Sequence, residues 1–240
     1  MLRAMDPSAL DTFRAFRNSL YDCLHRRADA LFELTDALLT AEQVPSPVHL
    51  SLQPSHRRGW GSLYNALSHG RIDAQALRRL LAHHPLAGSQ TPVYAVDVSV
   101  WDRCDAESSP ERGFYYHPSR HSAGQPIVAG WAYQFIARLN FGRESWTAPV
   151  DALRAHPMEN ANMVAVEQVK GLLGRLEKEA SLPLFVFDAG YDPVKVQQGL
   201  EGSRCQILSV CAPGVASTPI RASLAHPPTL ADRVLTARSR

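Results

Sequence analysis

The chain has 240 residues, 45% of them hydrophobic, and a net charge of +2. That is enough for one large domain or a domain with a smaller companion, with a sizeable core. The mild positive balance permits nucleic-acid binding without demanding it. Only Lys170, Lys178 and Lys195 are lysines, a skew towards arginine that fits a GC-rich genome better than it marks a phosphate site. No stretch approaches the ~18 apolar residues of a membrane span. Asp6 and Asp11 fall where a signal peptide would carry its apolar core. A soluble, cytoplasmic protein with no membrane partner is expected. Cys23, Cys104, Cys205 and Cys211 contain no CxxC pair, so four free thiols in a reducing compartment are expected.

In chain order, residues 1–90 read as helical. Leu10, Phe13, Phe16, Leu20 and Leu24 recur at three- and four-residue spacing, as on one helix face. A second helix takes Ala30, Leu31, Leu34 and Leu38, and Pro45 and Pro47 break it. Ser62 is positioned to cap a short helix to Leu67. Asp73 is positioned to cap Ala74 to His84, with Pro85 as the stop. The texture changes near Thr91. Strands are predicted over Val93–Val100, Ile127–Leu139 and Ser145–Val150, with a polar loop from Asp102 to Gln125. A helix follows over Asn160–Ala180, then a strand at Leu184–Phe187, a helix from Pro193 to Leu200 and a strand at Cys205–Val210. This makes a mixed α/β core over 91–208. Residues 209–240 hold no lysine and no aromatic residue and read as a disordered tail.

Two acids stand out in this order. Asp97 lies in Val93-Tyr94-Ala95-Val96-Asp97-Val98-Ser99-Val100-Trp101. Asp188 ends Leu184-Phe185-Val186-Phe187-Asp188 and is followed by Ala189-Gly190-Tyr191-Asp192. Each sits in or at the end of a run with the pattern of a buried strand. An ionised carboxylate there is costly unless paired. A divalent cation shared by both would relieve that cost and make a catalytic centre. The plain alternative is two strand-end acids that cap helices or pair with arginine.

Together with the loop His117-Pro118-Ser119-Arg120-His121 and Gly124-Gln125-Pro126-Ile127-Val128-Ala129-Gly130-Trp131, these segments resemble a DDE-type insertion-sequence transposase over about residues 10 to 208. The resemblance implies an α/β fold: an incomplete RNase H-like mixed sheet flanked by helices, preceded by an all-helical, DNA-binding N-terminal region. It implies that Asp97 on the first strand and Asp188 at the end of the fourth are neighbours. They would hold Mg2+ or Mn2+ in two-metal phosphodiester cleavage and strand transfer. The partners implied are transposon ends and target DNA, and a homodimer is compatible with it.

The departure from that family is the third acid, a glutamate on a later helix. After Asp188 the only acids are Asp192, Glu201 and Asp232. The two-metal site is therefore expected to be incomplete and the chain inactive. GC-rich codons read with a two-base shift after Leu208 permit a strand and turn, so a frameshift near codon 209 and an out-of-frame tail are expected. The downstream DNA tests this. An early stop, or no helical glutamate in the shifted frame, sinks it.

Other clusters carry weaker signals. His117 and His121 are four apart, but Pro118 and Gly124 argue against a zinc-binding helix. A loop with Arg120 that touches DNA phosphate, or a solvated loop, fits better. Arg57 and Arg58, with His56 and Trp60, can contact phosphate and stack on a base, whereas base rates favour a Trp60 packed into the helices. Arg78 and Arg79 sit on a helix that is either DNA-facing or merely solvated. Asp102, Asp105 and Glu167 read as surface acids, and Trp131 and Tyr133 as packing on their strand. Two further readings stay open. One is a non-catalytic DNA-binding remnant. The other is a phosphatase-like hydrolase with Asp188 as nucleophile, whose second acid is four residues on rather than two.

Overall fold

A computed structural model describes residues 7–84, 91–116, 126–141, 147–176 and 181–210. The chain divides into two compact units, residues 1–84 and 85–240.

The first unit holds α1 (Pro7–Asp22), β1 (Leu24–Arg26), α2 (Ala28–Thr40), α3 (Pro47–Ser51), α4 (Trp60–His69), β2 (Arg71–Ile72) and α5 (Ala74–His83). It is not all-helical. Arg27 adopts the left-handed conformation at φ 59°, which separates α1 from α2. Leu24, expected on the first helix, instead pairs with Ile72 across the β1–β2 ladder. The core is built from Leu34, Ala37, Leu50 and Leu63, with Leu24, Ala30, Leu31 and Ala66 beside it. Asp73 caps α5 as expected, its carboxylate accepting from the amides of Gln75 and Ala76 at 2.9 Å. Ser62 does not cap α4. Its amide donates to the carbonyl of Gly59, one turn earlier, and the helix starts at Trp60. Pro47 opens α3, since its missing N–H costs nothing at a first helical position.

The second unit holds β3 (Val93–Asp102), β4 (Gly113–Tyr116), β5 (Ile127–Leu139), β6 (Thr147–Ala155), α6 (Ala161–Leu173), β7 (Leu184–Phe187), α7 (Pro193–Gly199) and β8 (Gln206–Ser209). The strands run in the order β6–β5–β3–β7–β8. β5 runs antiparallel to both β3 and β6, while β7 and β8 run parallel to β3. This is an RNase H-like mixed sheet. β4, which falls inside the expected polar loop, pairs with the first residues of β5, on the edge that β6 also uses. The core also runs past residue 208. Ser209 pairs with Phe187, and the Val210 amide donates to the Phe187 carbonyl at 3.0 Å. The remainder of the proposed tail lies outside the described residues.

Strand alternation gives this sheet two unlike faces. Tyr94 and Val96 of β3, Ala132, Gln134 and Ile136 of β5, and Phe185 and Phe187 of β7 are buried on one. α6 lies there. Gln168 Nε2 donates to the Gln134 carbonyl, and Arg175, just past α6, pairs at 2.9 Å with buried Asp151, opposite Ile136. Asn160 caps α6, accepting from the Asn162 amide, and Ala165, Val166, Val169 and Leu172 form its buried stripe. The other face carries Asp97, Ser99 and Trp101 opposite Phe135, Tyr133 and Trp131. None of these six is fully buried.

Candidate active site

The last rung of the β3–β7 ladder pairs Val96 with Phe187. Asp97 and Asp188 are the next residue on each strand. Parallel neighbours lie about 4.8 Å apart, so the two acids stand side by side. Beyond this rung the strands part. β3 continues along β5 to Asp102, whereas β7 ends and the chain turns through Ala189 and Gly190 into α7. Crevices at the carboxyl ends of parallel strands are where open α/β sheets place their ligands.

Local hydrogen bonds fix both carboxylates. Asp97 Oδ1 accepts from the Val98 amide at 2.7 Å. Asp188 Oδ1 accepts from the Gly190 amide at 3.0 Å. A Cβ at position 190 would lie 3.1 Å from that oxygen, so glycine lets the turn fold closely over the acid. Neither acid is buried, contrary to the expectation from their apolar flanks. The flanking large residues point to the closed face, and the acids to the open one. Partial desolvation still raises the Asp97 carboxyl above the usual range, and the charge of Asp188 adds to the rise, against the lowering effect of the Val98 N–H.

Tyr191 completes the corner. It is buried edge-on against Phe187, with ring centroids 5.4 Å apart. Its hydroxyl has no hydrogen-bond partner among the described residues. Burial pushes the phenol strongly up, and the charges of Asp97 and then Asp188 push it further. Sequence reading quoted this tyrosine as context without assigning it a place under the pair.

The later acids among the described residues, Asp192 and Glu201, form no metal-holding group with them. Asp192 caps α7, accepting from the amides of Val194 and Lys195, and its own amide donates to Asn162 Oδ1 at 2.8 Å. The Lys195 amide chiefly, with that of Val194, holds its carboxyl below the usual range. Glu201 is exposed just past α7, and Asp232 lies outside the described residues. Among the described residues no group of three or more His, Cys, Asp or Glu is arranged to hold a metal.

The basic residues expected to meet DNA fare differently. Arg58 is tied to Glu33 and Asp29 at 3.3 and 3.2 Å. Arg57 is exposed, and its backbone amide donates to Glu33. His56 is buried, with Nδ1 4.0 Å from Glu33, so it cannot share a DNA-facing patch with its neighbours. Trp60 is not packed inside. It is 66% exposed, because the core-facing arc of α4 begins at Leu63. His117, Arg120 and His121 lie outside the described residues. Asp105 pairs with Arg103 at 2.9 Å, and Glu167 is exposed.

Residues 19–231 match the family described as DDE superfamily endonuclease. The chain belongs to this family. A search of curated proteins gives no match. Among solved structures, the chain is similar to the piggyBac transposase in its synaptic complex with hairpin DNA, at 13% identity and a TM-score of 0.39. The alignment covers 99% of this chain and 46% of that one, so the chain spans less than half of the transposase. No helix among the described residues is long and apolar enough to cross a membrane.

Proposed function

We propose that Asp97 and Asp188 are the carboxylate pair of a transposase-type centre acting on DNA phosphodiesters. One observation carries this reading. Two parallel strands each place an aspartate one residue past their last shared rung, on the open side of the sheet. The donor set fits a hard divalent cation. Both groups are oxygen ligands, and each keeps its Oδ2 clear of hydrogen bonds among the described residues. The mutual charge felt by Asp97 is what a cation would relieve. Mg2+ or Mn2+ held there would supply activation of the attacking oxygen and charge stabilisation at the leaving one. The chain's own contribution is to orient the carboxylates, through the Val98 and Gly190 amides, and to wall the corner with Tyr191. Transposon ends and target DNA are the proposed partners.

With Asp192 used as a helix cap, the described residues offer two carboxylates in this arrangement. We therefore propose weak cation binding and no strand transfer by this chain on its own. Mn2+ titration followed by paramagnetic resonance tests the site. Binding should weaken at least about tenfold in both Asp97→Asn and Asp188→Asn, as for lost ligand-shell groups, and persist in Asp192→Asn. Unchanged Mn2+ affinity in the Asp97/Asp188 double variant refutes the site. Magnesium-dependent nicking of inverted-repeat DNA that vanishes in Asp97→Ala would instead uphold the site and overturn the claim of inactivity.

A further inference from the structure

The acid face does not end at the carboxylates. Four residues along β3, about 13 Å at the rise of an extended strand, lies Trp101, which is 52% exposed. It pairs across the ladder with Trp131, their ring centroids 5.5 Å apart and tilted by 42°. On the neighbouring strand, Phe114 and Tyr116 lie opposite Ala129 and Ile127, the next residues on the same side of β5. They are 74% and 70% exposed. Large aromatic residues are seldom left so open in a row on one sheet face, and such a patch marks an interaction surface.

The patch is built, not merely left over. A Cβ at position 130 would lie 2.0 Å from the Trp101 carbonyl oxygen, so Gly130 is what lets β3 and β5 close tightly under the tryptophan pair. Trp131 Nε1 donates to the Pro110 carbonyl, which also accepts from Arg154. Arg154 lies 5.5 Å over the Trp131 ring and Arg103 lies 5.6 Å over Trp101. These guanidiniums are matched by Glu111 and Asp105, both at 2.9 Å. The patch therefore offers flat, polarised rings rather than a surplus of positive charge. That suits the face of a nucleobase better than a phosphate.

We propose that the Trp101–Trp131 pair, extended by Phe114, is a stacking platform for unpaired bases of the DNA strand that leads into the Asp97–Asp188 corner. The choice of DNA rests on the function proposed above, and Trp101 lies on the same strand and face as Asp97. The carboxylates are further away than a screening length at physiological salt, about 8 Å, so their charge does not bar a base from the platform. The bases would be held by stacking, with little counterion release, and so with a shallow salt dependence.

The full chain in EDTA, titrated against an end-labelled single-stranded oligodeoxythymidylate and read by anisotropy, tests this without metal or catalysis. Trp101→Ala should weaken binding about 5- to 150-fold, the range for one lost base–aromatic stack. Trp101→Phe should retain most of the affinity and serves with circular dichroism as the folding control. An abasic oligomer of the same length should bind the wild type as poorly as thymidylate binds Trp101→Ala. No binding by the wild type, equal binding by Trp101→Ala, or equal binding of the abasic oligomer each overturns the platform. So does a dimer, seen by sedimentation, that Trp101→Ala dissolves, since the patch would then face a second copy. Loss of Mn2+ dependence on Asp97 and Asp188 with thymidylate binding intact would instead sink the catalytic reading alone.

Discussion

The two faces of the second unit's sheet come from the same strands and differ only by alternation. On one, Val96, Ile136, Phe185 and Phe187 are buried, on the side where α6 packs against β5 and β6 with α7 beside it. On the other, Asp97, Trp101 and Trp131 stand open or half-open. The closed face carries the large buried side chains that hold β3 and β7 in register, whereas the open face adds Val93, buried opposite Leu184, and leaves Asp97 and Asp188 exposed. Stability and chemistry are thus separable one residue apart, and substitutions should divide along the same line.

The largest effect belongs to the closed face. Phe187→Ala removes a fully buried ring beside Tyr191 and should cost about 3–5 kcal/mol, measured by urea unfolding of the second unit's signal. A cost near that of Asp188→Asn, which should stay within about 0.5 kcal/mol, would break the comparison. Gly130→Ala comes next and tests the boundary between faces. Its Cβ must displace the Trp101 backbone, at about 1–3 kcal/mol for overpacking. A shifted tryptophan emission with a lowered midpoint would report both at once. An unchanged midpoint would mean that β3 yields freely there.

The strands most legible in the sequence are those whose signal is local. Ile127–Leu139 and Leu184–Phe187 match their expected ends because aromatic and β-branched runs are bounded by polar or turn residues. The Asp73 cap was readable for the same reason, as a short polar residue before apolar periodicity. β4 was not readable. Gly113–Tyr116 is four residues in a polar stretch, and it becomes a strand only by pairing with β5. Leu24 failed likewise, since its helical spacing was overridden by the left-handed Arg27 and the pairing with Ile72. For the candidate site, composition and order singled out the two acids, while their exposure was misread. Apolar neighbours show that a strand is buried, not which side of it is. Tyr191 and the Trp101–Trp131 pair needed the register, which no window of sequence contains.

A sign reversal sharpens the closed face. Gln134 is fully buried there, and its amide nitrogen and oxygen both lack hydrogen-bond partners among the described residues. An orphaned polar group costs free energy that an apolar replacement of similar shape recovers. Gln134→Met should therefore be neutral or stabilising by about 1 kcal/mol in the same urea experiment. A loss of 2 kcal/mol or more, the scale of a broken buried network, would show that the amide is satisfied and that this face is not purely apolar packing.

The smallest effect lies at the rim, where the Asp188 turn enters α7. Asp192 accepts from the Val194 and Lys195 amides, and its carboxyl is held below the ordinary 3.8. A lowered folded value means that ionisation favours the folded state, so the stabilisation is present above 3.8 and is lost as pH falls through the lower folded value. Asparagine keeps the cap but cannot ionise. Asp192→Asn should thus melt slightly below the wild type at neutral pH, and the gap should close in acid. Thermal midpoints measured side by side from neutral to strongly acidic buffer check this. A gap that persists or widens in acid would mean that the charge of Asp192 is not what the α7 amides stabilise.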